Sequence, residues 1–106
     1  MSEDQDGAVT VVGWIWLRPD GGEDAYRRYL EASKRFLEPA FGESYETTSY
    51  RRAMTVGGEL DPDIVAINRF PSEARFMAAV SDPDYPSELL LDAVTRVEVQ
   101  LMREAL

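Results

Sequence analysis

The chain has 106 residues, 44% hydrophobic and 29% charged, the make-up of one globular domain with a modest core rather than two domains. Its net charge of −9, from 20 acidic against 11 basic residues, argues against nucleic acid and anionic membrane as partners, since phosphate surfaces are bound through basic footprints. Histidine and cysteine are both absent, which sets aside disulfides, His-ligated haem, the two-His-one-carboxylate iron site, most zinc sites and the Ser-His-Asp and Cys-His catalytic arrangements.

An enzyme built from this chain must therefore work with carboxylates, tyrosines, arginines, amides, a bound cofactor or the substrate itself, and no metal and no cofactor are expected. No apolar run has the length of a membrane span, and the acidic start Met1-Ser2-Glu3-Asp4-Gln5-Asp6-Gly7 lacks the basic-then-apolar pattern of an export signal. The expected location is the cytoplasm.

Residues 1–7 read as a disordered acidic tail and residues 8–106 as a single domain. Residues 8–18 (AVTVVGWIWLR) are β-rich and end at the turn Pro19-Asp20-Gly21-Gly22. Val9, Val11, Ile15 and Leu17 lie on one side of that strand; Val12, Trp14 and Trp16 lie on the other, and both sides ask for burial. Residues 23–41 form an amphipathic helix, with Tyr26, Tyr29, Leu30, Ser33, Phe36, Leu37 and Ala40 inward. Glu23–Arg27, Asp24–Arg28 and Glu31–Arg35 lie four apart in the favourable order, and Gly42 stops the helix.

Residues 44–56 (SYETTSYRRAMTV) read as a second strand and 64–70 (IVAINRF) as a third, joined by an acidic loop over 57–63 read as solvated. A short helix opens after Ser72, its expected N-cap. The stretch 81–86 breaks it, and Ser87 is expected to cap another short helix through 94. Residues 95–102 alternate strictly and give the last strand. This order implies a ferredoxin-like βαββαβ unit: a four-stranded antiparallel sheet with helices on one face and the first strand central. The helix-free face then carries Trp14 and Trp16. Two tryptophans in an exposed apolar patch are poorly tolerated by a monomer, so a homodimer packed face to face is expected.

The run from Ile67-Asn68-Arg69-Phe70 through Pro71-Ser72-Glu73-Ala74-Arg75-Phe76, followed by Ser81-Asp82-Pro83-Asp84-Tyr85, resembles a pattern in small bacterial proteins of the dimeric α/β-barrel superfamily. Ala25, Tyr26, Tyr29 and Leu30 on the first helix fit it too. The similarity is closest to an uncharacterised family there and more distant to antibiotic-biosynthesis-type monooxygenases and small cyclases or isomerases. It implies a dimeric α/β barrel and a cofactor-free oxygenase, cyclase or isomerase acting on a cyclic or polyketide-like small molecule. The haem-using relatives depend on a histidine that is missing here.

The catalytic candidates are Asn68, Arg51 and Tyr29. Asn68 shares a strand face with Ile64, Ala66 and Phe70, so it either bonds nearby backbone or orients a substrate carbonyl. Arg51 and Arg52 point to opposite faces; the inward one would clamp a carboxylate or enolate oxygen, unless the strand is an edge and both reach solvent. Tyr29 is either a core tyrosine or a general acid. The substrate-contacting candidates are Tyr26, Trp16, Phe76, Tyr85, Arg69 and Glu98, the last two flanking the tryptophans with an arginine stacked on an indole. The rival reading is a non-catalytic dimeric module that binds a ligand or a protein. An enzyme should show an enclosed pocket where Asn68, an arginine and a tyrosine converge; a module should show a filled core and an open groove.

Overall fold

The structure is a computed structural model, and it describes residues 7–106. The acidic tail expected over 1–7 lies outside the described residues except for Gly7, whose carbonyl accepts the Glu73 N–H at 3.1 Å. The elements run β1 (Val9–Leu17), α1 (Gly22–Phe41), β2 (Glu46–Arg51), β3 (Ile64–Phe70), α2 (Glu73–Val80), α3 (Ser87–Ala93) and β4 (Val94–Met102). The strands form one antiparallel sheet in the order β2-β3-β1-β4, so β1 is central as the element order implied.

Alternation along β1 decides where everything else goes. Val9, Val11 and Ile15 are buried under the helices in two clusters, one with Leu37, Phe41 and Phe70 and one with Ala25, Tyr26, Ile64, Ala66 and Ala93. Thr10, Val12, Trp14 and Trp16 point to the opposite side. They pair with Arg69, Ile67 and Val65 of β3 and with Met102, Gln100, Glu98 and Arg96 of β4. The chain's own helices lie on the first side only.

α1 begins at Gly21, whose φ of 72° is left-handed, and at Gly22, where a Cβ would come within 2.9 Å of the Ala93 carbonyl oxygen. Glycine there lets the first turn of α1 abut the end of α3. Ala93 is fully buried, and its carbonyl accepts the Arg18 N–H at 2.9 Å. The helix ends at Gly42 (φ 57°), whose N–H reaches Glu38 O at 2.7 Å. Glu23–Arg27 closes at 2.9 Å and Glu31–Arg35 at 4.0 Å, whereas Asp24 faces Arg27 at 3.9 Å rather than Arg28. All are exposed and worth a few tenths of a kcal/mol at most. Leu30 and Ala40, expected inward, are exposed; Ala25 takes the inner position instead.

The extent of β2 and the cap of α3 differ from the sequence reading. β2 is 46–51, not 44–56. It is an edge strand with a single neighbour, and once β3 begins at Ile64 the chain beyond Arg51 has no ladder to join. Ser72 caps α2 as expected, its Oγ accepting the Arg75 N–H at 3.1 Å. Ser87 does not cap α3; it is the first helical residue, Pro86 holds the cap position, and no side chain caps the end.

The loop read as solvated is instead fastened to β1. The Asp63 carboxylate accepts the Leu17 N–H at 2.7 Å, the Asp63 N–H donates to Ile15 O at 2.8 Å, and the Asp61 carboxylate accepts the Trp16 indole N–H at 3.0 Å. A hydrogen bond to an ionised group contributes about 1.5–3 kcal/mol. Asp63→Ala is therefore expected to lower the unfolding free energy by about 2 kcal/mol in urea titration, with the slope unchanged. An unaltered midpoint would show that the clamp contributes nothing.

Candidate functional site

A cleft of about 430 Å³ opens where β1 ends and α1 starts, lined by Leu17, Arg18, Gly22, Glu23, Arg51 and Asp63 among others. Each wall follows from the local fold. Asp63 is held by Leu17; Glu23 is in the first turn of α1; Arg51 ends β2, opposite core-facing Ile64, and so projects to the helix side. Of Arg51 and Arg52, Arg51 is thus the one on the inner face. Its guanidinium is exposed all the same and pairs with Glu23 at 2.9 Å, while Arg52 donates to the Pro62 carbonyl at 3.0 Å.

Arg18 is the residue that sequence reasoning missed. Its Nε donates to Asp92 O and its Nη1 to Asp20 O at 3.0 Å, and among the described residues it bonds no carboxylate. Two neutral carbonyls fix the guanidinium without cancelling its charge. The available signal was an arginine between a strand and the Pro-Asp-Gly-Gly turn that opens a helix. The N–H groups of that helix start add to its positive charge, while the carboxylates of Glu23, Asp24 and Asp63 in the same cleft oppose it.

The tyrosines gather elsewhere. On α1, Tyr29 OH and Ser33 Oγ both reach Tyr85 OH, at 2.7 and 3.1 Å, and the Tyr29 and Tyr85 rings meet edge to face at 6.4 Å. Tyr26 is buried, 3% exposed, and hydrogen-bonds with the Ser49 side chain of β2. Burial pushes the Tyr26 phenol upward. It pushes Tyr29 much further, with the neighbouring Tyr85 adding to the shift. Both phenols stay protonated through the physiological range and act there as hydrogen-bond partners, not as bases.

Asn68 does lie on the helix-facing side of β3. Its Oδ1 accepts the Thr47 hydroxyl and its Nδ2 donates to Val11 O at 3.4 Å, so its amide is spent on neighbouring strands. It pairs with Thr47, four residues from Arg51 along β2, about 13 Å away at strand spacing. Neither Asn68 nor Tyr29 lines the cleft that holds Arg51. Phe76 packs on Phe70 at 4.7 Å between ring centres, at the far end of the core.

On the opposite sheet face Trp16 lies under the Arg96 guanidinium, 4.3 Å from the ring centre, and Arg96 pairs with Glu98. Trp14 donates to the Gln100 side chain at 3.3 Å and pairs across the ladder with Glu98. Glu98 thus flanks the tryptophans as expected. Arg69 does not: it pairs with Thr10 and Glu46 near the other end of the face, and Arg96 is the stacking arginine.

No family model matches the chain, and no curated protein matches it. Solved structures do. A protein of unknown function from Rhodopseudomonas palustris superposes with a TM-score of 0.75 at 23% identity, over 97% of this chain and 88% of that one. A dimeric ferredoxin-like protein of unknown function from Jannaschia sp. gives 0.73 at 12% identity, over 92% and 100%.

The fold is ferredoxin-like.

The same likeness extends to SnoaB, a cofactor-independent oxygenase from Streptomyces nogalater, with a TM-score of 0.64 at 18% identity over 94% of this chain and 95% of that one. Fold alone is what such identities carry, since this architecture hosts unrelated chemistries.

The raised phenols set a pH dependence. A group whose folded pKa lies above its unfolded value contributes stability below the unfolded value and loses it above. Stability should hold steady through neutral pH and fall above about pH 10, where unfolded tyrosines ionise and Tyr26 and Tyr29 do not. Tyr29→Phe is expected to make that alkaline fall shallower in urea titrations run across the range; the same slope as wild type would contradict the assignment.

Proposed function

We propose that this chain works as a homodimer that binds a small organic molecule through an acidic oxygen, a carboxylate, enolate or phenolate, in the cleft at the start of α1. The observation that carries the reading is Arg18, held by the Asp92 and Asp20 carbonyls with no carboxylate partner among the described residues, and set in one cleft with Arg51. A fixed cation of unspent charge lowers the energy of an anionic oxygen without reorganising first. Glu23 and Asp63, which also line the cleft, provide acceptors for ligand hydroxyls.

The chemistry we attach to that site is cofactor-free turnover of a cyclic or polyketide-like substrate by oxygenation, cyclisation or isomerisation, with the two arginines holding developing oxyanion charge. The fold shared with a cofactor-independent oxygenase supports it. The non-catalytic binding module is the second reading, and the separation of Asn68, Arg51 and Tyr29 favours it. The dimer is supported by the half-buried indoles of Trp14 and Trp16 on the side the helices leave open, and by a dimeric protein of the same fold.

Arg51→Gln removes only an exposed ion pair with Glu23, so the fold should be unaffected. In calorimetric titration with aromatic and polyketide-like acids, wild type is expected to bind one class, and Arg51→Gln and Arg18→Gln each to weaken that binding tenfold or more, by roughly 1.5–3 kcal/mol per charged hydrogen bond. Equal affinity in both variants rules out the cleft. Binding without oxygen uptake or product in mass spectrometry selects the module over the enzyme.

A further inference from the structure

Residues 52–63 leave the sheet after Arg51 and return to it at Ile64 as a built arm. At the base the Arg52 N–H donates to Asp63 O at 3.1 Å and its Nε to Pro62 O at 3.0 Å. Further out the Thr55 hydroxyl donates to Leu60 O at 3.0 Å, and Gly58 turns the tip at a φ of 79°. The arm nevertheless holds apolar side chains in water: Met54 is 71% exposed, Val56 93% and Leu60 47%. Residues 53–58 carry no charge in a chain that is 29% charged. Such side chains on a hydrogen-bonded segment mark a surface that is covered in the working protein.

We infer that the arm seats Met54 and Val56 on a second copy of this chain, so that two exchanged arms hold the homodimer together with the open sheet faces. This rests on the homodimer proposed above. Continuity favours a twin as the occupant: Asp61 of the arm binds the Trp16 indole on the open face, so a copy packed over the indoles lies beside the arm. Reach favours it as well. Met54 and Val56 lie three and five residues beyond Arg51, a reach of about 10–17 Å at strand spacing, which spans the ~10 Å between packed sheets. A two-fold axis then uses each contact twice.

The test is sedimentation equilibrium of the full chain beside Met54→Asp/Val56→Asp. Both side chains are exposed in their own subunit, so the variant should keep the wild-type circular dichroism. Its dimer dissociation constant is expected to rise about tenfold or more. Should the variant misfold, hydrogen exchange on wild type decides: amides 53–58 should slow as the concentration passes the dissociation constant. A variant that dimerises like wild type, or arm amides that exchange as fast in the dimer as in the monomer, overturns the arm and leaves the dimer standing. A wild type that stays monomeric throughout overturns the dimer and the arm with it.

Discussion

A four-stranded sheet has two faces, and this chain brings helices to one of them. β1, the central strand, is apolar on both sides: Val9, Val11 and Ile15 lie beneath α1 and α3, and Val12, Trp14 and Trp16 lie on the other side. Fully burying a large apolar side chain contributes about 1.5–3 kcal/mol; Val12 is already buried in the single chain, and the half-buried Trp14 and Trp16 leave part of theirs unused. The rest of the molecule is arranged around that imbalance. The helix side is packed around two clusters and a group of tyrosine and serine hydroxyls, with Val99 of β4 left exposed at its edge. The other side is dressed with polar groups that engage the indole N–H atoms and leave apolar surface between them, with exposed Tyr50 and Met102 at its margins.

The C-terminal end of β1 is where the two sides meet. Within three residues Trp16 binds Asp61, Leu17 binds Asp63 and Arg18 binds the carbonyl of Ala93, the same carbonyl against which Gly22 packs. Cleft and arm share this junction, since Arg51 and Asp63 stand at the base of the arm and also line the cleft. The hydroxyl cluster of Tyr29, Ser33 and Tyr85 has the opposite character. Its hydroxyls bond one another, and burial keeps the Tyr29 phenol protonated, so it orders the fit of α1 against the 81–86 turn.

Periodicity was a reliable guide where each element buries one continuous face. α1 is recovered to within a residue at its start, β3 to the residue, and Ser72 as a cap through its spacing to Arg75. It misled where a partner strand decides. The Thr- and Tyr-rich stretch over 44–56 has strand propensity throughout, but β2 is an edge and its length is set by where β3 begins. Ser87 carries the chemistry of a cap and lost the position to Pro86. Arg69 and Arg96 are both arginines on the indole-bearing face, and only the β1–β4 register shows which of them lies over Trp16.

Local chemistry in the sequence, alternation in strands, 3.6-residue spacing in α1 and glycine at the turns, was sufficient to determine the element order, and with it the antiparallel ferredoxin-like sheet and the side on which Trp14 and Trp16 fall. It also removed histidine- and thiol-based chemistry outright, because composition needs no geometry. What the tertiary structure alone decided was which polar groups meet. Asp63 with Leu17, Asp61 with Trp16, Arg18 with Asp92, and Tyr29 with Tyr85 are pairs 45 to 74 residues apart. Such pairings depend on register and crossover packing, and a hydrogen bond that forms or fails within a fraction of an ångström leaves no periodic trace in the chain that makes it.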